Sequence, residues 1–429
     1  MTMGSYEGTR ARRSLGVVAA GAVLGLTAAC GGKVAGGGGG AGGGEGVAPG
    51  ASQEEYLAAL GDMEPVTLKL QSTASSPEDV AAYRSTELKR SVEELSDGLI
   101  SIDIAYGPSV APFTEVDAAL SDGRLDLAYM IPIYQPDDYP AFSALAAGTG
   151  LAGTSPLAEE LTVNAAMLEV AYGTEGLLEQ YEEKGVTPLI PFNATSSVMA
   201  MCTEPAANLD DWQGRVVSIG SRATLAQVEE LGATGTSLEY TETYEALQRN
   251  AVDCALATTL SATMTGLHEV APHVTYSQAA GFGRGAGAFV AGGKYRDLPL
   301  AAQQLVFDQM GEAFKNSRRA DLEGTSRLME TLADTGGDVH ELDEEASRTL
   351  REATEAIVAE QIADGTVDEE VVGRIDAALE RWRGIVAELG YEDEGGFTSY
   401  PEWHDADEDA LAAYSDRVFE ELMLAHRPE

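Results

Sequence analysis

Cysteine and histidine are scarce, 3 and 5 residues in a chain of 429, and His268, His273, His340, His404 and His426 form no H-E-x-x-H pair. That spacing would set two imidazoles on one helix face around a metal, so its absence removes the usual zinc-hydrolase pattern. There is no G-x-S-x-G elbow either, which leaves a serine-hydrolase mechanism without a nucleophile. Basic residues are few: Lys plus Arg is 27 against 70 for Asp plus Glu, a formal net charge of −43. A chain this acidic repels phosphate backbones and anionic membrane surfaces, which argues against a nucleic-acid partner. The acidity is spread along the chain, as in a strongly hydrated surface. The apolar run Leu15–Ala29 has only 15 residues, too short to span a bilayer comfortably. What remains is 44% hydrophobic residues, enough to build a large core in one or two domains.

Arg10, Arg12 and Arg13 precede that apolar run, and it closes in Leu26-Thr27-Ala28-Ala29-Cys30. The arrangement resembles a bacterial lipoprotein signal, in which a Cys after small residues is lipidated through its thiol and becomes the new N-terminus. On that resemblance residues 1–29 are a signal peptide and Cys30 is the lipid attachment that holds the protein on the extracytoplasmic face of the cell membrane. From Gly31 to Gly50 the chain reads GGKVAGGGGGAGGGEGVAPG, with almost nothing to bury. Such a tether is flexible and reaches roughly 25 Å. The anchor and linker are expected over residues 30–64.

Beyond the linker, strand-like apolar runs alternate with amphipathic helical patterns, and no repeat is visible. Strands are expected at Val66–Gln71, Leu99–Ala105, Leu125–Ile131, Val186–Phe192, Val198–Thr203, Arg215–Ile219 and Val252–Ala257. Helical patterns include Val80–Leu95, Leu157–Val170 and Thr224–Leu231, the last stopped by Gly232. The order is α/β and suits a doubly wound sheet, whose ligands sit beyond the carboxyl ends of its strands. After Pro299 the pattern reads as purely helical, with Leu342, Ala346, Leu350, Ala353, Ile357 and Ile362 on one stripe.

The most specific signal runs from Leu209 to Ala257. It contains Leu209-Asp210-Asp211-Trp212-Gln213-Gly214-Arg215-Val216-Val217, then Leu231-Gly232-Ala233, then Glu242-Thr243-Tyr244-Glu245-Ala246-Leu247-Gln248-Arg249-Asn250-Ala251-Val252-Asp253. A short helix is expected with Thr241 as its cap and with Asn250 left-handed at its end. The stretch resembles the dicarboxylate-binding type of TRAP-transporter solute-binding protein, whose pattern is D-L-x-G-x-K-I-R, then L-G-A, then E-x-Y-x-A-L-Q-x-G-x-V-D-G. The resemblance extends from about Val66 to Leu389. It implies a periplasmic-binding-protein-like fold: two α/β lobes with a hinge, braced by C-terminal helices. One lobe would comprise residues 65–191 with 281–298 returning, the other 192–280. Bracing helices would occupy 299–390, and an acidic extension 391–429, which either packs on a lobe or docks a partner. The implied function is that of an extracytoplasmic receptor, not an enzyme, that captures a small organic solute without a cofactor and delivers it to TRAP-type permease subunits driven by an ion gradient. A lipoprotein of another kind, a ligand sensor or an adhesion module with a degenerate cleft, is the alternative.

The chain departs from the family pattern where the ligand is held. Ser218 stands where the pattern ends in its carboxylate-clamping Arg, Ser196 follows Asn193-Ala194-Thr195 where a second Arg is common, and Cys254-Ala255-Leu256-Ala257 replaces a polar G-Q-E-N. Serine offers one hydroxyl and no charge in place of a bidentate cation. Either Arg222 or Arg284, in nearby Gly/Ser-rich loops, supplies a relocated cation, or the ligand is neutral or more apolar; the joint loss of three polar contacts favours the second. Tyr240, Tyr134 and Phe192 are aromatic candidates for the pocket wall, and Ser196, Ser218 and Ser221 are polar ones. Cys202 and Cys254 are compatible with a disulfide and equally with two buried thiols. Asp405, Asp407 and Asp409 have the spacing of a calcium loop, but Ala410 stands where such a loop needs Gly, so no metal is expected there. Gly148-Thr149-Gly150-Leu151-Ala152-Gly153 has the letters of a dinucleotide fingerprint without the preceding strand.

Overall fold

The computed structural model describes residues 45–405 and 407–429. The signal peptide, Cys30 and the glycine-rich tether up to residue 44 lie outside the described residues. Two mixed sheets organise the rest. The first contains β1 (Val66–Ser72), β2 (Ile100–Tyr106), β3 (Leu127–Met130), β4 (Thr187–Ala194) and β10 (Ala286–Ala291), in the order β2-β1-β3-β10-β4. The second contains β5 (Val198–Cys202), β6 (Val216–Ile219), β7 (Thr234–Ser237), β8 (Cys254–Thr258), β9 (His273–Tyr276) and β11 (Asp338–Glu341), in the order β11-β9-β5-β8-β6-β7. In each sheet a parallel set, β2-β1-β3 or β8-β6-β7, carries the α/β crossovers. β10 and β4 complete the first sheet with antiparallel pairings, and β5, antiparallel to both β8 and β9, joins the parallel pair β9-β11 to the second.

β4 contains Pro188 and Pro191 and lies at a sheet edge, where a missing N–H leaves no ladder position empty. From Ala194 the chain crosses through residues 195–197 directly into β5. The return crossing, residues 277–285, leads from β9 to β10. The two crossings are tied together: the Thr195 N–H and hydroxyl both donate to the Gly285 carbonyl, at 3.0 and 2.7 Å.

Four strands were not legible in the sequence: β7, β9, β10 and β11. The expectation of a purely helical region after Pro299 therefore fails at Asp338–Glu341, a short polar strand that joins the sheet edge beside β9. Gly336-Gly337 ends the preceding helix, and four residues with one apolar side chain carry no readable alternation. Residues 53–60, placed in the linker by composition, form a helix instead. Ser52 and Glu55 make a capping box, and Tyr56 and Leu60, one turn apart, are buried. The Tyr56 hydroxyl donates to Asp308. The helix expected to be capped by Thr241 begins two residues earlier, at Tyr240, with Glu239 as its cap. Asn250 has φ +55° and Gly232 φ +97°, both left-handed, as their positions at helix ends require.

The Met310–Thr335 helix, 26 residues and so about 39 Å long, braces both sheets. Ala313, Phe314 and Leu322 join the core on the first sheet, while Leu328, Met329 and Leu332 join that of the second. The Glu344–Ala363 helix does likewise through Leu350 and Val358. The acidic C-terminal segment packs on the first sheet's core with Tyr414, Val418 and Met423 buried. Cys202 and Cys254 face each other in the β5–β8 register and are joined as a disulfide. No helix among the described residues is long and apolar enough to cross a membrane.

Candidate ligand-binding site

The cleft between the lobes lies beyond the carboxyl ends of parallel strands from both sheets: Thr73 follows β1, Ile131 follows β3, Gly220 and Ser221 follow β6, and Thr258 closes β8. Its volume of about 140 Å³ has room for on the order of ten waters, hence for a compact organic molecule. Aliphatic side chains, among them Ile131 and Ile133 from one lobe and Ile219, Leu238, Leu256 and Leu260 from the other, share the wall with nine Ser and Thr and three Tyr residues.

Four of the expected residues meet here: Tyr134, Ser218, Ser221 and Tyr240. Ser218 is nearly buried on β6 and, among the described residues, its hydroxyl has no partner. Ser221 caps the Arg222–Glu230 helix by accepting from the Thr224 N–H at 3.1 Å. The Tyr240 hydroxyl reaches across the cleft to the Thr73 carbonyl at 3.1 Å, and the Tyr240 N–H donates to the Tyr134 hydroxyl at 3.4 Å. Burial pushes both phenols up, Tyr134 to about 12, so both remain neutral hydrogen-bonding groups.

The other four lie elsewhere. Phe192 is fully buried behind the wall against Phe142, with ring centroids 4.9 Å apart. The Ser196 hydroxyl accepts from the Leu260 N–H at 3.1 Å inside the crossing. Arg222 is exposed at the rim and paired at 2.6 Å with Asp137 of the opposite lobe. Arg284 is 1% exposed beneath the cleft and bonded to Glu160 at 2.5 Å. There it belongs to a buried network: Glu160 also accepts from Ser197, and Arg318 contacts the Ala194 carbonyl, Asn193 and Asp321. Burial pushes the Asp321 carboxyl up, to about 6, against the pull of Arg318.

A cation does line the cleft, and it is one the motif comparison missed. Arg84 belongs to the Tyr83–Leu95 helix, set by the turn that Asp79 caps through the Ala81 N–H. Its guanidinium lies 4.2 Å from the centroid of the Tyr129 ring, and its Nε donates to the Ala81 carbonyl at 3.1 Å. Gly287 makes this possible, because a Cβ there would stand 2.2 Å from the Tyr129 ring. The legible signal was Arg84 on the stripe with Leu88 and Val92, a charge at core spacing.

Away from the cleft, His273 Nδ1 and His340 Nε2 approach Asp338 Oδ1 at 2.8 and 3.0 Å on the outer edge of the second sheet.

The family model of the bacterial extracellular solute-binding proteins, family 7, matches residues 72–364. The chain belongs to this family. It is an extracellular solute receptor of the kind that the Leu209–Ala257 motifs imply. Solved structures share the fold. The sugar acid binding protein of Advenella mimigardefordensis in complex with galactonate is 18% identical with a TM-score of 0.63, over 75% of this chain and 100% of that one. A TRAP solute-binding protein from Rhodoferax ferrireducens with benzoate is 13% identical, TM-score 0.65, over 75% and 99%. The ectoine-binding protein of the Halomonas elongata TRAP transporter is 19% identical, TM-score 0.61, over 74% and 100%. No curated protein matches the chain.

Proposed function

We propose that this family member is a lipid-anchored receptor that captures a small organic solute between its lobes and presents the closed form to a TRAP-type permease. The observation that carries the reading is the cleft, walled by both lobes at the carboxyl ends of their parallel strands. A solute touching both walls favours closure by the difference between its affinities for the closed and open forms. Two of the structurally similar proteins hold galactonate and benzoate and a third is an ectoine-binding protein, and all three ligands are compact molecules. The degenerate alternative, a sensor or adhesion lipoprotein, calls for a cleft filled by the chain's own side chains, and the volume here speaks against it. Residues 1–29 serve as the signal and Cys30 as the anchor, so the domain works tethered to the outer face of the membrane.

Thermal unfolding of the full chain in detergent, against a panel of carboxylic acids, sugars and amides, tests the reading, because a native-state ligand must raise the transition. At least one class should shift it in a dose-dependent way. No shift with any class, at millimolar concentrations, overturns the receptor reading. Fatty-acid labelling lost in Cys30→Ser tests the anchor.

A further inference from the structure

We infer that the ligand is a compact monocarboxylate with an apolar body, and that Arg84 holds its carboxylate. The inference rests on the receptor reading and names the solute class for the same cleft. Among the described residues, Arg84 is the only charged side chain that lines the cleft. It is 5% exposed, and no carboxylate of the described residues comes within ion-pair distance. Its single protein hydrogen bond uses Nε, which leaves the Nη donors for a partner in the cleft.

The neighbourhood sharpens the charge argument. Beneath the cleft, Glu160 and Asp321 stand against Arg284 and Arg318; the Asp321 charge reaches Arg84 only through space, beyond ion-pair distance. A guanidinium this buried, stacked on an aromatic ring and with no carboxylate at ion-pair distance, is costly until an anion meets it. A planar carboxylate suits the donor fork. Ser218 and Thr73 add hydroxyls to the same cleft, neither with a side-chain partner among the described residues. The rest of the wall sets the body of the molecule. Ile131, Ile133, Leu256, Leu260 and Met264 offer a second carboxylate nothing to bond, and the hydroxyls of Thr195, Ser221, Thr224, Thr243, Thr258, Ser261 and Thr265 are already bonded within the chain. The volume accommodates a molecule of roughly ten non-hydrogen atoms. The clamp has thus moved from β6, where Ser218 stands, to the opposite lobe.

Isothermal titration of the full chain with phenylacetate, 4-methylpentanoate, succinate, galactonate and phenylacetamide tests this. The two apolar monocarboxylates should bind, with succinate, galactonate and phenylacetamide at least about 100-fold weaker. Arg84→Gln should weaken phenylacetate about 100-fold or more and narrow its advantage over phenylacetamide to within a few-fold, while Arg222→Ala leaves the ratio of the two affinities unchanged. Melting curves of Arg84→Gln check that it folds, and Arg84→Lys, which keeps charge without the fork, should fall between the two. Tight binding of succinate, galactonate or phenylacetamide overturns the assignment and leaves the receptor reading standing. So does phenylacetate binding that is indifferent to Arg84→Gln. No binding by any of the five, together with no shift across the wider thermal panel, defeats both.

Discussion

Arg84 and Arg284 are both nearly buried at the junction of the lobes, at 5% and 1% exposure, yet only Arg284 has an acidic partner. The floor of the junction solves the problem of a buried charge inside the chain, by pairing. The cleft above it leaves the same problem open and hands it to a ligand. A guanidinium that completes the structure and one that reads a solute differ in whether a carboxylate was built in beside them, and residue type alone does not tell them apart.

The largest effect that can break this comparison is at Glu160. Glu160→Gln removes the charge facing Arg284 and should destabilise the protein by about 3–5 kcal/mol, the usual cost of stranding one member of a buried pair. Arg84→Gln should leave stability unchanged or raise it, because it deletes a buried cation that has no carboxylate partner in the chain. Urea unfolding of both variants measures this. If Arg84→Gln is as destabilising as Glu160→Gln, the two sites do not differ in kind.

The lobes offer the next contrast. The first sheet shares one large core with the N- and C-terminal helices, whereas the second has two smaller clusters, and its central β5 and β8 carry the disulfide. Cys202→Ala with Cys254→Ala opens a loop of 52 residues and should lower stability by about 2–4 kcal/mol. Proteolysis of the double variant should start in the second lobe. First cuts in residues 65–191 would mean that the bond does not support that lobe in particular.

How far the sequence goes follows the same division. Seven strands were legible because each was a run of alternating or continuous apolar residues, and the motif from Leu209 to Ala257 named the family. Four strands were not, since β7 and β11 are mostly polar, β9 is only four residues long, and β10 is mostly Ala and Gly, residues with little strand preference. Four of eight cleft candidates line the cleft, all at strand ends or the loops that follow them, where α/β architecture itself points. Arg222 and Arg284 do not, because a loop position near the hinge says nothing about which carboxylate waits for it. Asp137 and Glu160 were too far away in sequence to weigh. Arg84 was overlooked for the opposite reason: it lies in a helix well before the motif, and its misfit with the apolar stripe of Leu88 and Val92 was the signal.

Smaller in size is a pH effect that separates Asp321 from Glu323 on one helix. Glu323 accepts from His404 at 3.3 Å and Arg327 at 2.7 Å, and these partners pull its carboxyl down to about 2. With a folded value below the ordinary 4.5, it contributes stability above about pH 4.5, and that stability is lost as the pH falls towards 2. Asp321, raised by burial, has the opposite sign: its penalty grows as the pH rises from 3.8 to about 6. Glu323→Gln should therefore flatten the acid side of the stability curve, and Asp321→Asn the side between pH 4 and 6. Exchanged phenotypes would mean that the two carboxylates have been assigned to the wrong environments.

Smallest is the effect of Arg222, which separates an ion pair at the rim from a clamp inside. Arg222 and Asp137 are largely exposed, at 66% and 87% of their side-chain surface, so water and salt screen the pair. Removing it should change stability by less than about 1 kcal/mol. The pair nonetheless joins opposite lobes, so its weak attraction acts on the opening of the cleft more than on the core. Arg222→Ala should speed ligand release a few-fold at low ionic strength, with the difference from wild type vanishing in 0.5 M salt. Stopped-flow dissociation at both salt concentrations reads this. A large loss of affinity that persists in high salt would place Arg222 in contact with the ligand, and the division between the rim and the cleft would have to be redrawn.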